Sequence, residues 1–253
     1  MKHGKFILEA CVDSPESALA AQRGGADRLE LCGHLIIGGV TPDEWLYRKV
    51  RQVSELPVRV LIRPRFGDFC YSDWEYDMIR EQVKHFSELG ADAVVIGCLS
   101  PDGSLDMESM RELVDLAGDM EVTLHRAFDV CQDASEALEQ AISLGIGTIL
   151  TSGQKSSCMK GADCLRKLQE QAAGRITLMA GAGVNAQVIR ELHEKTGLTA
   201  YHMSGKKVEE SSMKYRREGV PMGMPGISEF EIWRTDEEEI RRAADVLSEF
   251  PEL

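Results

Sequence analysis

Two periodicities alternate along the chain. Strand-like apolar runs lie near 6–12, 27–32, 58–63, 93–97, 121–125, 147–151, 175–180 and 199–204, with every-second-position alternation in 28–32 and 121–125, and each is followed by a segment with helical spacing. Helix starts are written in caps. Asp13 or Ser14 with Pro15 opens a helix running to about Arg23, which Gly24-Gly25 ends. Thr41-Pro42-Asp43-Glu44 reads as a capping box with proline at the first helical position, and Ser72-Asp73-Trp74-Glu75 and Asp133-Ala134-Ser135-Glu136 repeat its cap-to-acid spacing. A weak repeat runs through the connections. Gly25-Ala26-Asp27 precedes the second strand, Gly90-Ala91-Asp92 the fourth, and Gly145-Ile146-Gly147 stands in the same place before the sixth.

Eight strand–helix units with right-handed crossovers predict an α/β protein, a closed parallel (β/α)8 barrel forming one domain over 1–253. An open doubly wound sheet is the alternative. One connection breaks the grammar: 205–236 is long, polar and Met-rich before Glu237-Glu238-Glu239 opens the last helix. A loop of that length is expected to cover the barrel mouth or to contact a partner.

Composition narrows the function classes. With 253 residues and 43% hydrophobic content the chain can bury a sizeable core. A net charge of −13 argues against nucleic-acid and anionic-membrane partners, leaving a metal ion, a small molecule or a protein. No apolar run approaches the roughly 20 residues of a membrane span, and the first residues lack a signal peptide's apolar core, so a cytoplasmic location is expected. Seven cysteines (11, 32, 70, 98, 131, 158, 164) form no C-x-x-C pair and are expected to be reduced thiols.

In a barrel, function sits where strands run into the loops that follow them. The first two strands end Glu9-Ala10-Cys11 and Glu30-Leu31-Cys32, a repeated Glu-x-Cys in which each acid shares a face with its thiol. Neighbouring strands lie about 4.8 Å apart, so two carboxylates and two thiols could gather in one patch unless barrel shear offsets them. Two adjacent thiolates suit a soft metal such as Cu(I), or zinc with further ligands, whereas buried cysteines are commonly just small hydrophobes. The third strand adds Arg63 and Arg65, which would neutralise the glutamates or hold an anionic ligand; alternatively, Asp68 pairs with Arg65. The fifth ends in His125, Arg126 and Asp129, readable as general base, anion clamp and carboxylate, or as a structural Arg–Asp pair beside a hydrogen-bonded histidine. Ser152 follows the sixth strand and Gly181 and Gly183 the seventh, where a glycine loop before a helix near Asn185 could bind phosphate. His202 ends the eighth as a further acid–base group or ligand. Glu9, Glu30, His125 and Asp129 are thus the catalytic candidates. Arg63, Arg65, Arg126, Ser152, Gly181, Gly183 and His202 are candidates for binding a small anionic substrate, and Cys11 and Cys32 for metal.

Taken together, Glu9-Ala10-Cys11-Val12-Asp13-Ser14, Gly24-Gly25-Ala26-Asp27-Arg28-Leu29-Glu30-Leu31-Cys32, Gly38-Gly39-Val40-Thr41-Pro42, Arg63-Pro64-Arg65 with Gly67-Asp68-Phe69, His125-Arg126-Ala127-Phe128-Asp129 and Leu150-Thr151-Ser152-Gly153 resemble the CutC family in motif and order. The resemblance covers nearly the whole chain. It implies a TIM barrel, a cytoplasmic homo-oligomer and a role in copper homeostasis, with Cu(I) on the cysteines matching Cys11 and Cys32. Gly33, Phe66 and Tyr201 depart from the family pattern, and none is a candidate ligand.

Overall fold

The computed structural model describes residues 5–217, 219–220, 222–223 and 226–251. Parallel strands β1 (Ile7–Val12), β2 (Arg28–Leu31), β3 (Val58–Leu61), β4 (Ala93–Ile96), β5 (Glu121–Leu124), β6 (Thr148–Thr151), β7 (Thr177–Ala180) and β8 (Ala200–Met203) pair in sequence order. Pairing of β1 with β8 closes the ring, so the open sheet is excluded and the protein is a (β/α)8 barrel. Helices α1 (Pro15–Gly24), α2 (Glu44–Val53), α3 (Asp73–Glu88), α4 (Met107–Ala117), α5 (Ala134–Ser143), α6 (Ala162–Ala172), α7 (Ala186–Thr196) and α8 (Glu237–Glu249) complete the units.

Strand parity sorts the core. Leu8, Ala10 and Val12 of β1 join the large apolar layer shared with the helices. Cys11 instead packs with Cys32, Leu61 and Val95, and Ile7 with Leu150, Met179 and Ala200, two small clusters on the opposite, lumen side. Glu9 has the lumen parity, which decides its chemistry below.

The repeated Gly-Ala-Asp has a structural role. Asp27 Oδ2 accepts from the Leu8 amide at 2.9 Å and Asp92 Oδ2 from the Val58 amide at 2.8 Å, so each aspartate ties the start of the preceding strand to the next. Ser72 and Glu75 form the expected capping box, and Asp133 caps α5. At α2 the cap is Asp43, two residues later than the sequence pattern places it, with its side chain accepting from the Leu46 amide. Thr41 is drawn elsewhere: its hydroxyl accepts from the Arg63 amide and donates to Gln82, both at 2.8 Å, locking the end of β3.

The long connection is not a plain loop. It carries β9 (Lys206–Glu210) and β10 (Glu231–Thr235), an antiparallel ribbon whose base is tied to the barrel by Asp236 N–H to Gly205 O at 2.7 Å and Thr235 N–H to Ser17 Oγ at 3.0 Å.

The first and last units meet at α1 and α8. A Cβ on Gly24 would stand 2.7 Å from both Glu237 O and Ile240 Cβ. Gly24→Ala is therefore expected to destabilise the protein by about 1–3 kcal/mol, the usual cost of overpacking. Urea unfolding should show a lower midpoint at unchanged slope; an unchanged midpoint would mean that α8 shifts freely to make room.

Candidate functional site

The barrel lumen is ionic before it is anything else. Glu9 is fully buried, and the registers of β1 put Arg28 on one side of it and His202 on the other. Arg28 Nε donates to its Oε2 at 2.6 Å, His202 Nδ1 lies 2.8 Å from Oε1, and Arg59 Nε is 3.6 Å away. Burial works to raise the Glu9 pKa. Arg28, His202 and Arg59 overcome it, and the carboxyl is held down at about 2. Arg59 extends the network towards the opposite end of the barrel through Thr123 Oγ1 at 3.2 Å and Glu121.

This layer corrects the expectation of one shared patch. Cys11, not Glu9, pairs with Glu30, because the β1–β2 register is displaced by the shear of the closed barrel. Glu9 is therefore a deep counter-ion, and of the two glutamates only Glu30 reaches the mouth, beside Cys11 with Cys32 behind it. There Cys11 Sγ lies 3.5 Å from Glu30 Oε1 and 3.8 Å from Cys32 Sγ, while Cys32 also leans on Val12 O at 3.7 Å. Hydrogen bonding to Cys32, burial and the Glu30 carboxyl push the Cys11 thiol well above its ordinary value. Burial likewise raises Glu30, whose Oε2 has no partner among the described residues. For His202 burial acts downward, but Glu30 and Glu9 prevail and raise it. One ligand atom each from Cys11, Glu30 and His202 fall within 4.8 Å of one another.

These three residues form part of the wall of a cavity of about 820 Å³ at the barrel mouth. Arg63, His125, Arg126, Asp129, Gly183 and Met203 line it too, with Phe69, Asn185, Lys206 and Glu239. Cys32, Glu9, Arg65, Ser152 and Gly181 do not. Arg65 is held away by Glu75, at 2.6 Å, and by Asp68, at 3.0 Å; its spacing in sequence matches Arg63, but beyond the strand end parity no longer governs direction. Gly181 has a packing role, since a Cβ there would stand 2.7 Å from Leu150 Cδ1. Ser152 is buried between Asp129 and Lys155 O.

Asp129 is fully engaged as an acceptor. It takes bonds from Thr151 Oγ1 at 2.6 Å, from the Ser152 and Gln154 amides, and from Arg126 Nε at 2.7 Å. These bonds organise the loop after β6 and leave little of the carboxylate free for a substrate, which weighs against a catalytic role. Arg126 also donates to Ser152 Oγ at 3.1 Å, yet nearly half of its side chain remains exposed at the mouth. Arg63 is anchored by Gly38 O, Gly39 O and Gly67 O and lies over the Phe69 ring.

His125 sits against Phe69 with ring centroids 4.7 Å apart, and its Nδ1 accepts from the Ala127 amide at 3.2 Å. Gly97 makes the seat: a Cβ there would be 2.6 Å from His125 Cε1. Burial and the charge of Arg63 push the His125 pKa down to about 3, so at neutral pH the ring is uncharged and a weak base. The general-base role read from the sequence is poorly matched to that environment.

Arg28, Arg59, Phe69, Asn185 and Lys206 were missed. Arg28 and Arg59 lie outside the strand ends, although basic residues at 28 and 59, in step with Glu30 and with Leu61, are a readable signal of a charged lumen. Lys206 could not be found that way, because it belongs to the ribbon.

A closed parallel barrel whose mouth combines a thiol, a carboxyl and an imidazole over a buried ion cluster defines a TIM-barrel protein with a polar ligand or metal pocket. The CutC family model matches residues 6–207, and the chain belongs to that family. It is 45% identical over 228 residues to a family protein CutC of Bacteroides fragilis (strain YCH46), covering 89% of this chain and 91% of that one. It is 41% identical over 237 residues to the human copper homeostasis protein cutC homolog, covering 93% and 87%. A crystal structure described as a copper homeostasis protein CutC, from Streptococcus agalactiae, superposes with a TM-score of 0.75 at 29% identity over 79% of this chain and 98% of that one. Thiamine phosphate pyrophosphorylase from Pyrococcus furiosus, at 16% identity, TM-score 0.59 and 98% of both chains, shares the fold alone.

The buried neutral histidine has a measurable consequence. Its pKa falls from 6.5 in the unfolded chain to about 3 in the fold, so between those values the unfolded state binds the extra proton. Its contribution is present above pH 6.5 and is lost as pH falls, at about 1.4 kcal/mol per pH unit. Glu9 adds a loss of the same sign only below pH 4.5, down to about 2. Glu30 and His202, both raised in the fold, act with the opposite sign in parent and variant alike, so urea unfolding at pH 7, 6 and 5 should show the parent losing stability relative to His125→Gln as pH falls; equal slopes in both proteins would mean that the ring charges in the folded state.

Proposed function

We propose that the barrel mouth is a Cu(I) site serving copper homeostasis, with Cys11 and Cys32 as the soft ligands and His202 and Glu30 beside them. The observation that carries this reading is the 3.8 Å separation of the two sulfur atoms, with Glu30 and His202 clustered on Cys11. Sulfur donors suit Cu(I), and the orphan Glu30 Oε2 is a buried polar atom that a bound ion would satisfy. The residues present therefore fit the metal. Copper would be cargo here, held by thiolates that give up their protons on binding. Since burial and Glu30 raise the Cys11 thiol, affinity should tighten as pH rises and weaken as it falls. The copper homeostasis name of the human relative agrees with this reading.

Free thiols throughout the described residues favour a reducing compartment, and we infer a cytoplasmic location on that ground. Among the described residues no helix is long and apolar enough to cross a membrane. The exposed Trp74 and Met78, one turn apart on α3, are consistent with the homo-oligomer that the family resemblance implies.

A second reading has its own support. A cavity of about 820 Å³ is far larger than one ion needs and falls in the range of small-molecule sites. With Arg63, Arg126 and Lys206 among its lining, it suits a small anionic substrate, and the protein would then be an enzyme.

Competition of the reduced protein against a Cu(I) chelator decides the first reading. The Cys11→Ser, Cys32→Ser double variant is expected to lose tight copper binding, and Glu30→Gln to weaken it by about 10–100-fold, as loss of a supporting ligand partner does. Copper held equally tightly by the double variant would place the metal elsewhere.

A further inference from the structure

The mouth contains one polar group that the copper reading leaves without a role. His125 is 4% exposed and lines the cavity, and its Nε2 has no protein partner among the described residues. The other ring nitrogen is committed. Nδ1 accepts from the Ala127 amide, so its lone pair is used and it carries no proton. A neutral imidazole has one N–H, which is then on Nε2. Phe69 packs against the ring, and the space a Cβ on Gly97 would take is filled by its Cε1–Nδ1 edge, so the ring has little room to rotate. A buried donor left unpaired costs about 1–3 kcal/mol, so the position is stable when an acceptor occupies the cavity.

The surroundings say which acceptor. Arg63 lies near enough to depress the basicity of the ring, and Arg126, the next residue in the chain, presents a half-exposed guanidinium to the same cavity. Gly183 and Asn185, at the start of α7, bring the positive end of a helix of 11 residues to that wall. Asp129 offsets part of the Arg126 charge and Glu239 also lines the cavity, so it is Arg63, whose guanidinium is held by backbone carbonyls, together with the helix start, that favours a negatively charged oxygen here. We propose that His125 is a fixed, neutral Nε2–H donor to an oxygen of a small oxyanion, a carboxylate or a phosphate, bound in the barrel mouth on the Arg63–Arg126 side. The inference rests on the anionic-ligand reading above and is independent of copper. It assigns His125 to ligand binding as a donor, the reverse of a general base: with Nδ1 occupied and Nε2 protonated, the ring has no free lone pair with which to take a proton.

Two measurements test it. Long-range ¹H–¹⁵N spectra of the full chain should show His125 as the Nε2–H tautomer with shifts unchanged from pH 5 to 8; titration in that range or an Nδ1–H tautomer overturns the proposal. Thermal shift with acetate, pyruvate and inorganic phosphate then reads the ligand. We expect at least one probe to stabilise the protein, with carboxylates or phosphate favoured according to the source of the anion. Binding of that probe should weaken by about 10–100-fold in His125→Phe, the loss expected for a hydrogen bond to a charged group, and by about threefold or less in His125→Gln, which keeps an N–H donor. If no probe stabilises the parent protein, both the anionic-ligand reading and this inference fail. If a probe stabilises the parent and both variants equally, an anion binds elsewhere in the mouth, Nε2 is satisfied by water, and the assignment to His125 fails alone.

Discussion

A fully buried carboxylate at the centre of the barrel is the constraint around which the rest of the site is arranged. An isolated charge there would be prohibitive to bury, and Glu9 is tolerable only because Arg28, His202 and Arg59 converge on it. Those partners come from β2, β8 and β3, so the compensation exists only when the barrel is closed. Closure, register and charge neutrality are one condition, and slipping a strand by a single residue would turn each of these groups into the apolar layer outside.

His202 transmits that condition upwards. One of its nitrogens is fixed on Glu9 and the ring also feels Glu30, so the charge balance at the mouth is set partly from the layer beneath it. Glu30 is raised by burial while Glu9, two strand positions deeper, is held low. Two glutamates in the same Glu-x-Cys pattern thus acquire opposite chemistry: one is a permanent counter-ion, the other a carboxyl that can exchange its proton, accept from a thiol or coordinate an ion. Glu9 is bonded directly to Arg28 and His202 with Arg59 close by, whereas burial and the Glu9 charge outweigh His202 and Arg28 at Glu30.

The mouth divides accordingly into two regions. On the β1, β2 and β8 side a thiol, a carboxyl and an imidazole lie within ligand reach of one another, with a second thiol behind the first. The β3, β5 and α7 side carries a neutral histidine, two arginines and a helix start. The proposed Cu(I) site would occupy the first region and the proposed oxyanion site the second, and nothing in their geometry makes them exclusive.

Much of this was determined by the sequence alone. Apolar runs marked eight strands, caps marked most helix starts, and the family motifs contained several of the residues that line the mouth, since periodicity and capping are local properties that neighbouring residues settle between themselves. Parity also placed Cys11 and Cys32 on the lumen side. Local spacing could not tell Glu9 from Glu30, because their depth depends on the shear between β1 and β2, a property of the closed ring. Nor could it foresee Arg65 turning to Glu75, Thr41 leaving the cap of α2 to Asp43, or the ribbon that brings Lys206 to the cavity wall. His125 is the clearest case: its residue type announced a proton carrier, and only the tertiary structure, by burying it beside Arg63 and occupying Nδ1 with the Ala127 amide, made it an uncharged ring with one nitrogen already engaged.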